Sequence, residues 1–162
     1  MPALSDLPPI RASLPILLIL ARETMLRELR PMLAKAGLSE PQWRILRVLT
    51  QRGALSVQDL AAEACLQATS VSRILQSMVE RGLVLRRQDS ANRRRQVVTA
   101  TAEGRAIIDE FAPVSRAVTD AFTARFGPER YAQLVALLDA FVAECSDPHP
   151  GNIVGIKPEL DQ

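Results

Sequence analysis

The stretch Ala68–Ala100, ATSVSRILQSMVERGLVLRRQDSANRRRQVVTA, decides the fold. Its two halves have different periods. Val71, Ile74, Leu75, Met78 and Val79 fall at i, i+3, i+4, i+7 and i+8, an apolar stripe down one side of a helix. Thr69, Ser70, Ser72, Arg73, Gln76 and Ser77 occupy the other side, and Gly82 supplies a left-handed stop. From Leu83 the rhythm is two-residue: Leu83, Leu85 and Arg87 alternate with Val84, Arg86 and Gln88. Asp89-Ser90-Ala91-Asn92 is turn chemistry, Arg93-Arg94-Arg95 stands at the tip or on the return, and Gln96–Ala100 reads as the returning strand. The stretch therefore predicts an amphipathic helix followed by a hairpin with a basic loop.

Upstream, the pattern is helical from Pro15 to Ala36, with Leu18, Met25, Leu29 and Leu33 at helical spacings. Pro31 inside that run should kink or divide it, and Gly37 ends it. Ser39-Glu40-Pro41-Gln42 is a capping-box pattern opening a helix that carries Trp43, Leu46 and Leu49 and stops at Gly53. Ser56 opens a further short helix with Leu60, Ala61 and Ala64, and Leu66-Gln67 leads into the deciding stretch. Downstream, Thr101 and Glu103 begin a long helix marked by Ile107, Phe111, Val114, Val118, Phe122 and Phe126, which Pro113 should bend. After Gly127-Pro128 a last helix carries Leu134, Leu138, Phe141 and Cys145. Residues 1–13 and 146–162 are proline-containing and read as a flexible arm and an extended tail.

Composition narrows the function. A chain of 162 residues is one domain, or one domain plus an appendage, since domains cluster near roughly 100–150 residues. Only 4% of residues are aromatic, which argues against a stacking platform for single strands or sugars. Cys65 and Cys145 are too few and too far apart for a disulfide framework or a metal cluster. Cys65, at the end of an apolar helix face, is expected to be a buried small hydrophobe. The one histidine, His149, lies in the tail. No phosphate loop, metal spacing or nucleophile–base pair is present, so no catalytic residue, metal or cofactor is assigned and an enzyme is not expected. The apolar run Leu14–Ala21 is shorter than the ~20 residues a membrane span needs and is not followed by a cleavage site. The expected location is the cytoplasm.

Two short helices, a tight turn, an amphipathic third helix and a basic hairpin make a winged helix-turn-helix. An α-helix fits the major groove of B-DNA, where outward polar side chains reach base edges. The hairpin beside it can place arginine on phosphates or in a narrow minor groove. The net charge of +2 hides a segregation. Residues 65–105 hold eight Arg against Glu80, Asp89 and Glu103, a net +5, whereas residues 106–162 are net −5. The candidate contacts to double-stranded DNA are Thr69, Ser70, Ser72, Arg73, Gln76, Arg86, Arg93, Arg94 and Arg95, and Asp89 is assigned to bracing the wing. The alternative is a winged-helix protein-interaction module without DNA binding, which would need an apolar patch where this face is polar.

Residues 38–104 resemble the MarR family of transcriptional regulators, and helix order extends the likeness over about residues 14–145. The wing carries the most specific match: Asp89-Ser-Ala-Asn92-Arg93-Arg94, then Ala100-Thr101-Ala-Glu103-Gly104. Asn92 stands where the family favours a second Asp, and Ala100 where it favours Leu. PQWRILRVL, the AxEAC segment and ARE…RELRP are similar to the subgroup of homoprotocatechuate-degradation repressors. The resemblance implies a mainly α fold with a small β-hairpin, a winged helix-turn-helix flanked by N- and C-terminal dimerisation helices. It divides the chain into an arm (1–13), an N-terminal dimerisation helix (14–37), the DNA-binding domain (38–101), C-terminal dimerisation helices (102–145) and a tail (146–162). It also implies a homodimer on a pseudo-palindromic operator, and control by a small anionic, often aromatic, ligand. Trp43 and Arg47 are i, i+4 on one helix face with Arg44 beside them; together with Arg22 they could hold a ring and a carboxylate. The competing reading puts Trp43 in the core and the arginines in dimer salt bridges.

Overall fold

The computed structural model describes residues 9–89, 92 and 96–146. After a single 3-10 turn, Ile10–Ala12, come α1 (Leu14–Ala36), α2 (Glu40–Arg52), β1 (Leu55–Ser56), α3 (Val57–Glu63), α4 (Ala68–Glu80), β2 (Val84–Gln88), β3 (Gln96–Ala100), α5 (Ala102–Phe126) and α6 (Pro128–Cys145). The chain divides into two units, Met1–Thr119 and Asp120–Gln162. Residues 1–8 of the expected arm and 147–162 of the expected tail lie outside the described residues.

In the first unit the helix ends follow their local chemistry. The Ser39 side chain accepts from the Gln42 backbone N–H and the Gln42 side chain accepts from the Ser39 backbone N–H, which closes the capping box of α2. Ser56 caps α3 by accepting from the Asp59 N–H. Gly37 ends α1 in the left-handed conformation, with φ 64°. The apolar faces these helices turn inward make one core: Ile45, Leu46 and Leu49 of α2, Leu60 of α3, Val71, Leu75 and Met78 of α4, and Val84 and Val98 of the sheet. Met32 and Leu33 of α1 and Ile108 of α5 close its edges. Burying each large side chain here stabilises the fold by about 1.5–3 kcal/mol as an upper estimate.

The sheet has three strands, not the two expected. β3 lies between β1 and β2, antiparallel to both, with Leu55 and Arg86 each opposite Val98. β1 is two residues long, too short to leave a periodic signal in sequence. The expected alternation along β2 also fails: Leu83 and Val84 are both buried, Leu85 is exposed, and the strand leaves the core as it runs into the wing. Thr101 anchors the base of the hairpin. Its hydroxyl donates to the Gly82 carbonyl at 2.7 Å and accepts from the Gly104 N–H at 3.0 Å, joining the end of α4 to the start of α5.

Three further expectations are corrected. Pro31 does not divide α1; α5, expected to bend but not to break at Pro113, stays helical through it. Both prolines are exposed, so the carbonyl that each ring deprives of a partner sits on a side open to water. Cys65 is exposed, not buried. It is the residue after the last turn of α3, and Leu66 N–H closes back onto the Ala61 carbonyl at 2.9 Å in a Schellman-type cap. That cap requires a left-handed residue, and Cys65 takes it with φ 51°, which turns its side chain outward and lets Leu66 pack on the core instead. Val79, the last member of the α4 stripe, is exposed where that helix runs beyond the core.

The second unit is built from the end of α5 and from α6. Gly127 and Pro128 interrupt the two helices, with Gly127 at φ 98°. No residue of α6 is buried. Leu134, Val135, Leu137, Phe141 and Val142 are all exposed.

Candidate nucleic-acid interface

The candidate reading surface is the outer side of α4. Val71, Leu75 and Met78 fasten the inner side with no measurable exposure, so the helix is held rigidly. Thr69, Ser70, Ser72, Arg73 and Gln76 all stand exposed on the outside. β2 borders the same surface. The Arg86 guanidinium, a candidate phosphate contact, donates from Nη2 to the Ser72 carbonyl at 3.2 Å, so this side chain also fastens the strand leading into the wing to α4. Between them runs a groove of about 660 Å³ with Thr69, Ser72, Arg73, Gln76, Val79 and Arg86 along it. Arg87 is exposed and Asp89 is half-buried just past the strand. Arg93, Arg94 and Arg95 lie outside the described residues.

The turn between α3 and α4 is held from behind by α2. Arg44 donates from Nη1 to the Ala64 carbonyl at 2.9 Å and more weakly to that of Cys65 at 3.4 Å. Glu40 holds Arg44 in place, accepting from Nη2 at 3.2 Å. Nε also lies 2.8 Å from the Glu40 carboxylate, an ion pair without hydrogen-bond alignment. Glu40 accepts from Arg22 of α1 as well, at 3.0 Å. These charges form a chain from α1 through α2 to the helix-turn-helix turn.

That chain separates the four residues expected to bind a ligand together. Trp43 and Arg47 line a pocket of about 290 Å³ between α2 and α5, with Thr50, Ile108, Ser115 and Arg116 among its other walls. Arg22 and Arg44 stand outside it, on Glu40. The spacing of Trp43 and Arg47 revealed their shared face, but no local signal marks Arg116 or Ser115. They reach the pocket because α5 packs back onto the head at Gly104 and Ile108. Among the described residues no group of His, Cys, Asp or Glu is arranged to hold a metal ion, and no helix is long and apolar enough to cross a membrane.

Comparison with known proteins adds to this geometry. The MarR family pattern matches residues 38–95, from α2 into the wing. The HTH-type transcriptional regulator FarR of Neisseria gonorrhoeae is 37% identical over 127 residues, covering 78% of this chain and 87% of that protein. The chain belongs to the MarR family. It is a DNA-binding transcriptional regulator, and its winged helix is the fold of that family. The homoprotocatechuate degradative operon repressor of Escherichia coli is 34% identical over 131 residues, covering 81% of this chain and 88% of that repressor. The crystal structure of NadR in complex with 4-hydroxyphenylacetate superposes with a TM-score of 0.71 at 34% identity, covering 92% of this chain and all of that one.

Proposed function

We propose that this protein is a ligand-responsive repressor that acts in the cytoplasm as a homodimer on a pseudo-palindromic DNA operator. One observation carries the reading: the outer side of α4 is polar and is backed by Val71, Leu75 and Met78, all fully buried, with Arg86 fastening the wing strand beside it. Thr69, Ser70, Ser72, Arg73 and Gln76 enter the major groove, and Arg86, Arg93, Arg94 and Arg95 meet phosphates or the neighbouring minor groove. Asp89 braces the wing. Residues 14–37 and 102–145 pair the two subunits and set the distance between the reading heads.

The effector is a small aromatic carboxylate held at the pocket of Trp43 and Arg47. Relatives support this class, since one represses a homoprotocatechuate degradative operon and another was solved with 4-hydroxyphenylacetate. A ligand shifts the spacing of the heads only if it binds the spacing that does not fit the operator more tightly than the one that does. Binding to the DNA upstream of the protein's own gene, measured against excess competitor over a range of salt, tests the proposal. Arg94→Ala should weaken binding and lower the salt slope by about 1, as loss of one phosphate contact requires. Arg73→Ala or Gln76→Ala should relax the preferred sequence. Selected sites identical to wild type in both variants would mean that α4 does not read the bases.

A further inference from the structure

The pocket between α2 and α5 carries two cations, not one. Arg47 comes from α2 and Arg116 from α5, and both are exposed at the pocket while Trp43 and Ile108 are buried in its floor. Among the described residues no acidic side chain lines it, and neither guanidinium has a carboxylate partner. Among the described residues other arginines do find carboxylates: Arg22 and Arg44 pair with Glu40, Arg30 with Glu23 and Arg52 with Glu63. The uncharged polar part of the wall comes from Thr50, Gln51, Ser115 and Thr119, and among the described residues the buried Thr50 hydroxyl has no hydrogen-bond partner.

We infer that the pocket selects a single-ring ligand with two anionic groups, and that Arg116 is the residue that confers this preference. The inference rests on the effector pocket proposed above and narrows its ligand class. A volume of about 290 Å³ lies at the small end of ligand sites, enough for one aromatic ring and its substituents. Two unpaired guanidinium groups beside one small space repel each other. A monocarboxylate satisfies one bidentate fork and leaves the other cation without a partner. A dicarboxylate gives each fork its own planar acceptor while the ring lies on the apolar floor of Trp43 and Ile108.

Trp43 is the only tryptophan of the chain, so its fluorescence reports binding at this site in the full-length protein. The probes are benzoate and the three benzenedicarboxylates: phthalate, isophthalate and terephthalate. The best dicarboxylate should quench Trp43 with an affinity about tenfold or more above that of benzoate. The same compound should release operator DNA at correspondingly lower concentration. Arg116→Gln should bring the ratio of dicarboxylate to benzoate affinity close to one, whereas Arg47→Gln should weaken both ligands. Equal affinity for benzoate and all three dicarboxylates, or a ratio unchanged in Arg116→Gln, overturns the inference. Benzoate binding and releasing DNA with no dicarboxylate doing so overturns this inference alone. Failure of all four compounds to move either signal overturns the effector pocket with it.

Discussion

Helices α4 and α6 look alike as sequences and end in opposite environments. Each has apolar residues at helical spacing. In α4, Val71, Leu75 and Met78 have no measurable exposure, and the polar remainder faces outward. In α6, Leu137 is 70% exposed and Val142 60%, and nothing in the helix is buried. α4 is apolar on one side only, and the head supplies a surface to meet that side. α6 is apolar over most of its circumference, which is tolerable in water only if another surface covers it. Periodicity thus states that a helix has a partner, but not whether the partner lies in the same chain. The upper part of α1, with Ile19 62% exposed, belongs with α6 in this respect.

The largest test of the contrast is to charge α6. With Leu137→Glu and Phe141→Glu together, a two-fold dimer loses each contact twice. At about 1.5–3 kcal/mol per buried side chain, the dimer dissociation constant should rise by at least about 1000-fold, read by sedimentation equilibrium. A dimer of undiminished strength would mean that the exposed face of α6 is covered by something other than a second subunit.

Next in size is the matched truncation. Leu75→Ala should cost about 2–5 kcal/mol in urea unfolding, because it empties a site the head cannot collapse around. Leu137→Ala, made in the background of Phe141→Glu so that dimer contacts are weakened, and measured at concentrations where that chain sediments as a monomer, should change stability by no more than about 0.5 kcal/mol. Comparable losses at the two positions would erase the distinction between a helix with a core and a helix without one.

Much of the head was legible because its signals are local. The capping box at Ser39, the Ser56 cap, the stop at Gly37 and the stripe from Val71 to Met78 each need only a few neighbouring residues to be recognised, and all are found. What stayed hidden depends on tertiary context. β1 is recognisable only by its pairing with β3. Cys65 holds a backbone conformation usually left to glycine, for which its sequence neighbours offer no sign. The same holds for the candidate sites. The outer residues of α4 follow from period alone. The pocket needs α5 to fold back, so no spacing marks Arg116, and adjacency groups Arg44 with Trp43 although Glu40 takes it elsewhere, as it does Arg22.

That folding back depends on Gly104. A Cβ there would run into the Leu83 carbonyl oxygen and press on Leu46, both parts of the packed head. Gly104→Ala should therefore cost about 1–3 kcal/mol by overpacking and move the start of α5. Since α5 carries one wall of the pocket, benzoate quenching of Trp43 should weaken in the folded variant. Full stability with unaltered quenching would show that the hairpin base yields to a methyl group and that α5 is not seated by this contact.

The smallest effect expected is at Glu40, which ties α1 and the helix-turn-helix turn to α2. Its pair with Arg22 is exposed on the arginine side, so that contact contributes little in water. Its pair with Arg44 is better shielded and holds the guanidinium on the Ala64 carbonyl. The Glu40 carboxylate also stands in the first turn of α2, where the helix dipole favours a negative charge. Glu40→Gln keeps the shape and removes the charge, so it should cost about 1 kcal/mol at low salt and less at high salt, where these terms are screened. DNA affinity should fall with it at low salt, because Arg44 then loses the anion that aims it at the turn before α4. A loss of stability independent of salt would place the contribution of Glu40 in packing, and the charge chain from α1 to the reading helix would not be what positions it.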